Sequence, residues 1–207
     1  MTVETEALRA AISNAPPPFE LRKIGHVVLM VTDLKRSIAF YTGVLGFKVS
    51  DIYGEDMMPG GMVFMRLNPD HHGVALIGGA PGPSQTHELH HMAFEVGSLD
   101  EVFRARKHLR ESGATIVFDG RRRAGVQIAV EFRDPDGHRL EIYWGLDRVA
   151  ADGYVRPASE WKLARSLKDA VADPVVGQDT TLNNPTAIDE AVADAAAREA
   201  GGTSRWR

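Results

Sequence analysis

Histidine is the residue type whose placement in this sequence first indicates chemistry. The chain has eight histidines, and four of them stand in two adjacent pairs, His71-His72 and His90-His91. Imidazole titrates near neutral pH and binds metal ions, so these residues are candidates for metal binding or proton transfer. A carboxylate, Glu141, interrupts the apolar run LEIYWG. Because burying an unpaired carboxylate costs several kcal/mol, Glu141 is expected to have a partner.

The segments that must position these groups occur twice. GHVVLMVTDLKRSIAFYTGVLGFKV begins at Gly25, and HHMAFEVGSLDEVFRARKHLRESGATIV begins at His90. When the two segments are aligned with His26 opposite His91, their apolar positions coincide, and so do the glycines that end each helical stretch. Each half is predicted to form a strand, a helix and three further strands. The predicted fold class is therefore α+β, with two tandem βαβββ modules that form a curved, metal-holding sheet.

Local signals define the elements of each module. Asp33 is the predicted N-cap of the first module's helix, and Ser98 is that of the second. The segment 134–137, with the sequence DPDG, is predicted to be a tight turn before the last strand. Apolar and β-branched runs predict strands. These cover residues 24–31, 47–53, 61–67, 73–78, 114–119, 126–132 and 139–144.

The chain divides into a short N-terminal segment, a central domain (the body) and a C-terminal extension. Residues 1–20 are predicted to hold a helix over 4–13 and then three consecutive prolines, which form a stiff spacer. The body is one domain over 21–148. Its two modules are assigned to 21–79 and 88–148, on either side of a joint rich in proline and glycine.

The remaining residues, 149–207, are interpreted as a C-terminal extension. Helices are predicted near 159–172 and 184–200. The second has a thin apolar stripe of Ile188, Val192 and Ala195. Because an isolated helix of this length is marginal in water, the extension is expected to pack on the body or on a neighbouring subunit, which favours a homo-oligomer.

Strand alternation selects the side chains that face the space between the modules. His26 and His91 occupy equivalent positions in the repeat, so a pseudo-two-fold axis is expected to bring them together. Glu141 lies on a third strand of the same sheet system. Two imidazoles and one carboxylate form the facial triad of non-haem Fe(II) proteins, which leaves coordination positions open. The same donors suit Mn(II), Zn(II) and Ni(II), so residue types alone leave the metal open.

Several polar residues near these donors have more than one interpretation. His72 is expected to share a strand face with Val74 and Leu76 and so to look into the cleft. The arginine run 121–123 is expected to be exposed, with at most one member that reaches the cleft. His138 is expected to be solvated.

Composition excludes several classes of protein. Apolar residues make up 43% and charged residues 25% of the 207 residues, as in globular domains. The absence of cysteine excludes disulfides, thiolate metal sites and a cysteine nucleophile, and fits a cytoplasmic protein. The formal charge of −4 gives no reason to expect nucleic acid as a partner. No apolar run approaches the length of a membrane span, so no membrane partner is expected.

The span from residue 24 to 145 resembles the vicinal oxygen chelate superfamily, and within it the type I extradiol ring-cleavage dioxygenases in their one-domain form. The resemblance rests on the first-module segment that begins at Gly25, on HHGVAL at 71–76, on HHMAFEV at 90–96 and on DPDGHRLEIYWG at 134–145. The strand histidines and DPDGHRLE are shared across the superfamily. The histidine pair before the strand at 73–78 is more specific to the ring-cleaving enzymes.

The resemblance implies roles for individual residues. It places Fe(II) ligands at His26, His91 and Glu141, and a histidine that transfers protons at His72. Arg122 and Glu131 fall at positions where the family has a histidine and a tyrosine that hold the substrate's hydroxyl oxygens, so substrate identity is open. Tyr143, on the same strand face as Glu141, is a further predicted substrate contact.

The function that the resemblance implies is an Fe(II)-dependent extradiol dioxygenase. It would cleave the ring of a small aromatic diol of the catechol type with O₂, and Mn(II) or another divalent metal is the alternative cofactor. A glyoxalase-like or epimerase-like isomerase or lyase of the same superfamily stays open, although such enzymes place a fourth ligand, Glu or Gln, in the strand that here reads GVALI. A non-enzymatic small-molecule binding protein is the third alternative, against which the three matching ligands argue.

Overall fold

The computed structural model describes residues 5–12, 23–85, 89–149 and 154–188. Within them the two predicted βαβββ modules are confirmed, each with a four-stranded mixed sheet. After helix α1 (Thr5–Ala10), the first module comprises β1 (Val27–Met30), α2 (Leu34–Gly43), β2 (Lys48–Tyr53), β3 (Met62–Arg66) and β4 (Val74–Ile77). The second comprises β5 (Met92–Glu95), α3 (Leu99–Glu111), β6 (Thr115–Arg121), β7 (Ile128–Arg133) and β8 (Arg139–Trp144).

Strand order is the same in the two sheets. The first sheet runs β1-β4-β3-β2 and the second β5-β8-β7-β6, so the first and last strands of each module are parallel neighbours. The parallel pairing follows from the helix between them, because a crossover returns the chain in the same direction. The antiparallel strands that follow are joined by short connections.

One core lies between the inner faces of the two sheets and their helices. Leu29 and Leu76 of the first module lie in the same cluster of buried residues as Phe132 and Leu140 of the second. Phe40 of α2 lies 6.5 Å from Phe132, measured between ring centroids. The faces that carry His26 and His91, here called the outer faces, point away from this core. Both histidines are exposed.

The predicted turn 134–137 joins the two modules. Asp136 is 1% exposed and accepts hydrogen bonds from the amide and hydroxyl of Thr32 and, at 2.9 Å, from the hydroxyl of Ser37. Asp134 accepts from the hydroxyl of Tyr41 at 3.1 Å, where burial and Asp134 raise the tyrosine's pKa. The expectation of a solvated His138 is wrong, because its imidazole is buried against Asp134 at 2.9 Å.

The described part of the extension packs on the second module. Helix α4 (Leu167–Ala172) contacts β6 and β7, and Leu182 lies in a buried cluster with residues of α3. Arg121 is fully buried and donates hydrogen bonds to the backbone carbonyls of Lys162, Ala170 and Asp173. The expectation that the run 121–123 is exposed is therefore wrong for its first member.

The extension's second predicted helix is described only at its start. Residues 186–188 are helical, and Ile188 packs against the cluster around α3. The other two members of the predicted stripe, Val192 and Ala195, lie outside the described residues. The described part of the predicted helix near 159–172 is a 3₁₀ turn, Ala158–Glu160, followed by α4. No helix among the described residues is long and apolar enough to cross a membrane.

The two module helices begin differently. Asp33 caps α2 as predicted, because its carboxylate accepts a hydrogen bond from the amide of Arg36 at 2.9 Å. Ser98 occupies the equivalent position before α3 but makes no side-chain bond to a backbone amide. Its hydroxyl instead donates to the carboxylate of Glu101 at 3.3 Å. The predicted cap is therefore correct in position and wrong in its contact.

Candidate metal and substrate site

Two of the three predicted ligands meet on the outer face of the second sheet. His91 precedes β5, and Glu141 lies on the neighbouring strand β8, where it is in register with Ala93. The distance from His91 Nε2 to Glu141 Oε2 is 3.3 Å. Burial raises the pKa of the Glu141 carboxyl, although His91 and Gln127 act in the opposite direction. The protein contacts to this carboxylate are few, since Gln127 donates to it only at 3.5 Å.

The third predicted ligand lies on the first sheet, beside the predicted proton-transfer residue. The rings of His26 and His72 are 4.5 Å apart between centroids. Phe64 of β3 lies 5.0 Å from His72, so the two imidazoles share the outer face with an aromatic ring. Partial burial and the neighbouring charges of His26 and His71 lower the pKa of His72.

The reasoning that placed His72 in the cleft is wrong, although its position near His26 agrees with the prediction. Val74 and Leu76, whose strand face it was expected to share, are buried in the core. His72 lies before β4 begins, in a segment without strand geometry. The alternation of side chains along β4 therefore does not determine where the His72 side chain points. It lies on the outer face, opposite to the face of Val74 and Leu76.

The structure keeps the two donor pairs apart. Among the described residues, which include all the predicted ligands, no three His, Asp or Glu side chains are grouped so that they could hold one metal ion. The expectation that the pseudo-two-fold axis of one chain brings His26 to His91 is therefore not met. The outer faces are open instead, with Val28 42% and Met30 49% exposed beside His26.

The predicted substrate residues form a charged cluster beside Glu141. Glu131 is 5% exposed and lies directly opposite Glu141 across strands β7 and β8. The guanidinium of Arg122 contacts Glu131 Oε1 through Nη2 at 2.6 Å and through Nε at 2.8 Å. It also covers the ring of Phe118, 3.7 Å from the centroid. Tyr143 lies on the same strand as Glu141, and burial raises its pKa.

Arg139 belongs to this cluster and was missed as a site residue. Its Nη1 lies 3.5 Å from Glu131 Oε2 and 3.4 Å from His90 Nε2. Because it stands two residues before Glu141 on β8, strand alternation was the signal that could have found it. Phe64 and Gln127 carried no comparable signal, since they reach the site from separate strands and loops.

Two cavities lie near the extension and the strand ends. One, of about 290 Å³, is lined by residues that include Tyr154, Arg156 and Trp161. A more open one, of about 420 Å³, is lined by residues that include Glu95 and Trp144. Neither of these two cavities is lined by His26, His91 or Glu141.

Curated relatives include proteins named as dioxygenases. Biphenyl-2,3-diol 1,2-dioxygenase of Paraburkholderia xenovorans (strain LB400) is 34% identical over 129 residues, which are 61% of this chain and 42% of that protein. An iron-dependent extradiol dioxygenase of Rhodococcus jostii (strain RHA1) is 31% identical over 58% of this chain and 42% of its own. A manganese-dependent 2,3-dihydroxybiphenyl 1,2-dioxygenase of Geobacillus genomosp. 3 is 30% identical over 64% and 39%. This chain thus spans less than half the length of these dioxygenases.

A shorter relative and a solved structure match over nearly their whole length. Lactoylglutathione lyase of Salmonella typhimurium is 28% identical over 59% of this chain and 92% of that protein. The glyoxylase/bleomycin resistance protein/dioxygenase domain from Frankia sp. EAN1pec has a TM-score of 0.52 and 25% identity, and covers 61% of this chain and 99% of its own. A family model matches residues 23–142. The chain therefore belongs to the glyoxalase/bleomycin resistance protein/dioxygenase superfamily.

Proposed function

We propose that this protein is a divalent-metal-dependent extradiol dioxygenase that opens the ring of a catechol-type diol with O₂. The observation that carries the proposal is the contact of His91 with Glu141 on an open sheet face, with His26 at the equivalent position of the other module. Relatives named as diol dioxygenases support the reaction class. Fe(II) is the proposed metal, and Mn(II) is the alternative, since relatives of both kinds exist.

The donor set fits such a metal. His91 directly precedes β5 and Glu141 lies on the neighbouring strand β8, and imidazole with carboxylate is a donor combination that suits Fe(II) and Mn(II). Glu141 is 2% exposed, and its recorded contacts among the described residues are Gln127 at 3.5 Å and His91 at 3.3 Å, so a cation would stabilise this buried carboxylate. When bound, the metal would orient the diol and O₂ and activate both.

We further propose that the complete site forms between two copies of the chain. Each copy has two donor-bearing outer faces that point away from its own core. A two-fold dimer that sets the first sheet of one copy against the second sheet of the other would supply His26 from one copy, and His91 with Glu141 from its partner. Such an isologous arrangement produces two equal sites and covers the exposed Val28 and Met30.

The chain's own residues would bind the diol and move a proton. The outer face of the first sheet offers an aromatic surface for the ring, in which Tyr53 and Phe64 lie 4.9 Å apart between centroids. His72, in contact with His26 and Phe64, is the proposed group that accepts a proton from a diol hydroxyl. The proposed acceptor atom is Nε2, because Nδ1 lies 3.1 Å from His71 Nδ1. Tyr143 is the proposed contact from the second sheet.

The experiment that tests the reaction is reconstitution with one metal at a time. Protein purified without metal is loaded anaerobically with Fe(II), Mn(II), Zn(II) or Ni(II) and mixed with a panel of substituted catechols. Admission of air should consume one O₂ per diol and yield a coloured ring-opened product with Fe(II) or Mn(II). Failure of every metal to support O₂ uptake with every catechol would contradict the proposal.

The second candidate is a metal-dependent isomerase or lyase. It is favoured by one observation, the near full-length match to a lactoylglutathione lyase. The strand β4 and its flanks offer no Glu or Gln as a fourth ligand, which argues against it. Turnover of the glutathione adduct of a 2-oxoaldehyde by the Zn(II)- or Ni(II)-loaded protein, without O₂ uptake, would establish this alternative. Diol binding without turnover would instead indicate a binding protein.

A further inference from the structure

We infer that the diol substrate carries an anionic substituent, a carboxylate on or next to the ring, and that Arg122 binds it with support from Arg139. This inference rests on the proposed function, since it names the class of diol that the same site would take. It is carried by the arginine cluster on the outer face of the second sheet, next to His91 and Glu141.

The guanidinium of Arg122 is held in place by its neighbours, but only some of its hydrogen-bond donors have a recorded partner. Both of its contacts to Glu131 go to one carboxylate oxygen, through Nε and Nη2. Its plane lies over the Phe118 ring, which limits its rotation. The side chain is still 45% exposed, and no described residue is recorded as a partner of Nη1. One edge of a preorganised planar donor therefore faces the open side of the site, in a geometry suited to a carboxylate.

The charges of the cluster leave a positive excess. Arg122 and Arg139 share a single carboxylate, Glu131, so the three side chains together carry one net positive charge. Arg139 Nε is buried without a hydrogen-bond partner among the described residues. The neighbouring Glu141 does not cancel this excess in the proposed enzyme, because its charge is directed at the metal.

The cluster is close enough to the proposed metal to contact the same small molecule. The guanidinium of Arg122 contacts Glu131 Oε1 at 2.6 Å. Glu131 and Glu141 face each other directly across β7 and β8. A diol bound at Glu141 would therefore place a ring substituent within reach of the free edge of Arg122.

An alternative is that Arg122 only neutralises the buried Glu131. One guanidinium would suffice for that purpose, and Arg139 already approaches the other oxygen of Glu131 at 3.5 Å. The second arginine, stacked on Phe118 and nearly half exposed, goes beyond what neutralisation needs. The two interpretations differ in the affinity of the site for a charged diol.

The test measures binding rather than turnover. Anaerobic calorimetry of the Fe(II)-loaded full chain compares 2,3- and 3,4-dihydroxybenzoate with 3- and 4-methylcatechol, which replace the carboxylate by a neutral group of similar size. A charged hydrogen bond to Arg122 should make at least one dihydroxybenzoate bind about 10- to 100-fold more tightly than its methyl counterpart. Arg122→Gln should remove this preference, so that each dihydroxybenzoate binds within about 3-fold of its methyl counterpart in that variant.

The matched control is Arg123→Gln, an exposed neighbour of the same charge, which should keep the full preference. Arg122→Lys retains a cation beside Glu131, so it serves if the glutamine variant does not fold, and should reduce the preference without abolishing it. Methylcatechols that bind as tightly as the dihydroxybenzoates would overturn this inference and leave the proposed function intact. Equal loss in the Arg122 and Arg123 variants would overturn the assignment to Arg122. Failure of all four diols to bind would overturn both.

Discussion

The turn before the last strand is built alike in the two modules, yet its surroundings differ. Asn68 accepts a hydrogen bond from the amide of Asp70 at 2.9 Å, and Asp134 accepts one from the amide of Asp136 at 3.0 Å. In the first module, Asp70 lies at the surface in an ion pair with Lys23. In the second module, Asp136 is buried among the polar groups of the first module.

This difference shows that equivalent turns in a sequence repeat can have different structural roles. The second turn is committed to joining the modules, because its carboxylates satisfy donors of α2 and its preceding loop that would otherwise be buried without partners. The first turn has no such task and is followed directly by His71 and His72, whose rings reach the outer face. Equivalent positions thus serve cohesion in one module and the candidate site in the other.

The outer faces differ in the same way. The first presents His26 with aromatic and apolar neighbours, such as Phe64 and Met30. The second presents titratable and charged groups in pairs, His91 with Glu141 and Arg122 with Glu131. Neither face alone has the three donors of the proposed site, so the two faces are complementary rather than redundant.

The largest expected effect comes from separating the two faces genetically. His26→Ala and Glu141→Ala should each lose bound Fe(II) and all measurable turnover, because each removes one of the three proposed ligands. When the two inactive variants are unfolded, mixed in equal amounts and refolded, half of the dimers should be mixed and each of these should hold one intact site. About a quarter of the wild-type iron content and activity should return.

The control for this mixing is the pair His91→Ala and Glu141→Ala. Both alter the same face, so no mixed dimer can contain an intact site. Recovery by this second pair, or none by the first, would contradict the dimeric site. Iron content measured on the separated dimers reports the outcome independently of turnover.

The next effect concerns the histidine pair that follows the first turn. His72→Ala should keep its iron and bind a diol, and its turnover should fall by about 10²- to 10⁴-fold, the usual contribution of one acid–base group. His71→Ala is the comparison variant: it removes the 3.1 Å contact between the Nδ1 atoms of His71 and His72 but keeps the His72 imidazole, so its turnover should fall less than that of His72→Ala. Equal losses in both variants at matched iron content would remove the special role of His72.

The elements of this fold could be predicted because their signals are local. Alternation and apolar runs predicted seven of the eight strands within three residues of their observed bounds. The repeat and the cap residues predicted the remaining strand, β5, and both module helices. The placement of His72 could not be derived in this way, because it lies outside the strand whose alternation was used. A single residue between a turn and a strand can face either way, and here contacts with Phe64 decide.

Contacts distant in sequence were beyond the reach of local patterns. Asp136 binds Ser37, 99 positions away, and Arg121 binds Ala170, 49 positions away. Asp and Arg usually lie at the protein surface. Asp136 and Arg121 are buried because tertiary hydrogen bonds offset the cost of removing their charges from water. The relative placement of the two outer faces likewise depends on contacts between the modules, so the separation of the proposed ligands within one chain could not be predicted from the sequence.

A smaller effect distinguishes the two turns by their response to acid. Hydrogen bonds from Thr32 and Ser37 and the charge of Arg36 outweigh burial and hold the pKa of Asp136 below its ordinary value. A lowered pKa in the folded state stabilises the fold above the unfolded-state pKa of about 3.9, and this stabilisation is lost as pH falls through the folded-state pKa. Asp136→Asn should therefore lower the free energy of unfolding by about 1–3 kcal/mol at pH 7.

The difference between wild type and Asp136→Asn should narrow below about pH 4, as the wild-type carboxylate becomes protonated. Urea unfolding at a series of pH values measures it. Asp70→Asn at the exposed turn should leave the midpoint nearly unchanged at pH 7. A difference for Asp136→Asn that stays constant down to pH 2 would show that its charge has no part in joining the modules.

The smallest effect compares the starts of the two module helices. Asp33 accepts a hydrogen bond from the amide of Arg36, whereas the recorded side-chain bond of Ser98 is to the carboxylate of Glu101. Alanine at position 33 therefore removes a backbone cap, and alanine at position 98 removes a bond between two side chains. Asp33→Ala should cost about 1 kcal/mol, or a fall in Tm of about 2–4 °C for a chain of this size. Ser98→Ala should cost less than about 0.5 kcal/mol, because no backbone amide loses its acceptor.

Equal costs would mean that Ser98 caps α3 in solution through a rotamer different from the one seen here, since its hydroxyl needs only a rotation about χ1 to turn from Glu101 to the helix amides. Calorimetric scans of the two variants, with Thr→Ser exchange at the exposed Thr181 as a reference for scatter, decide between these outcomes.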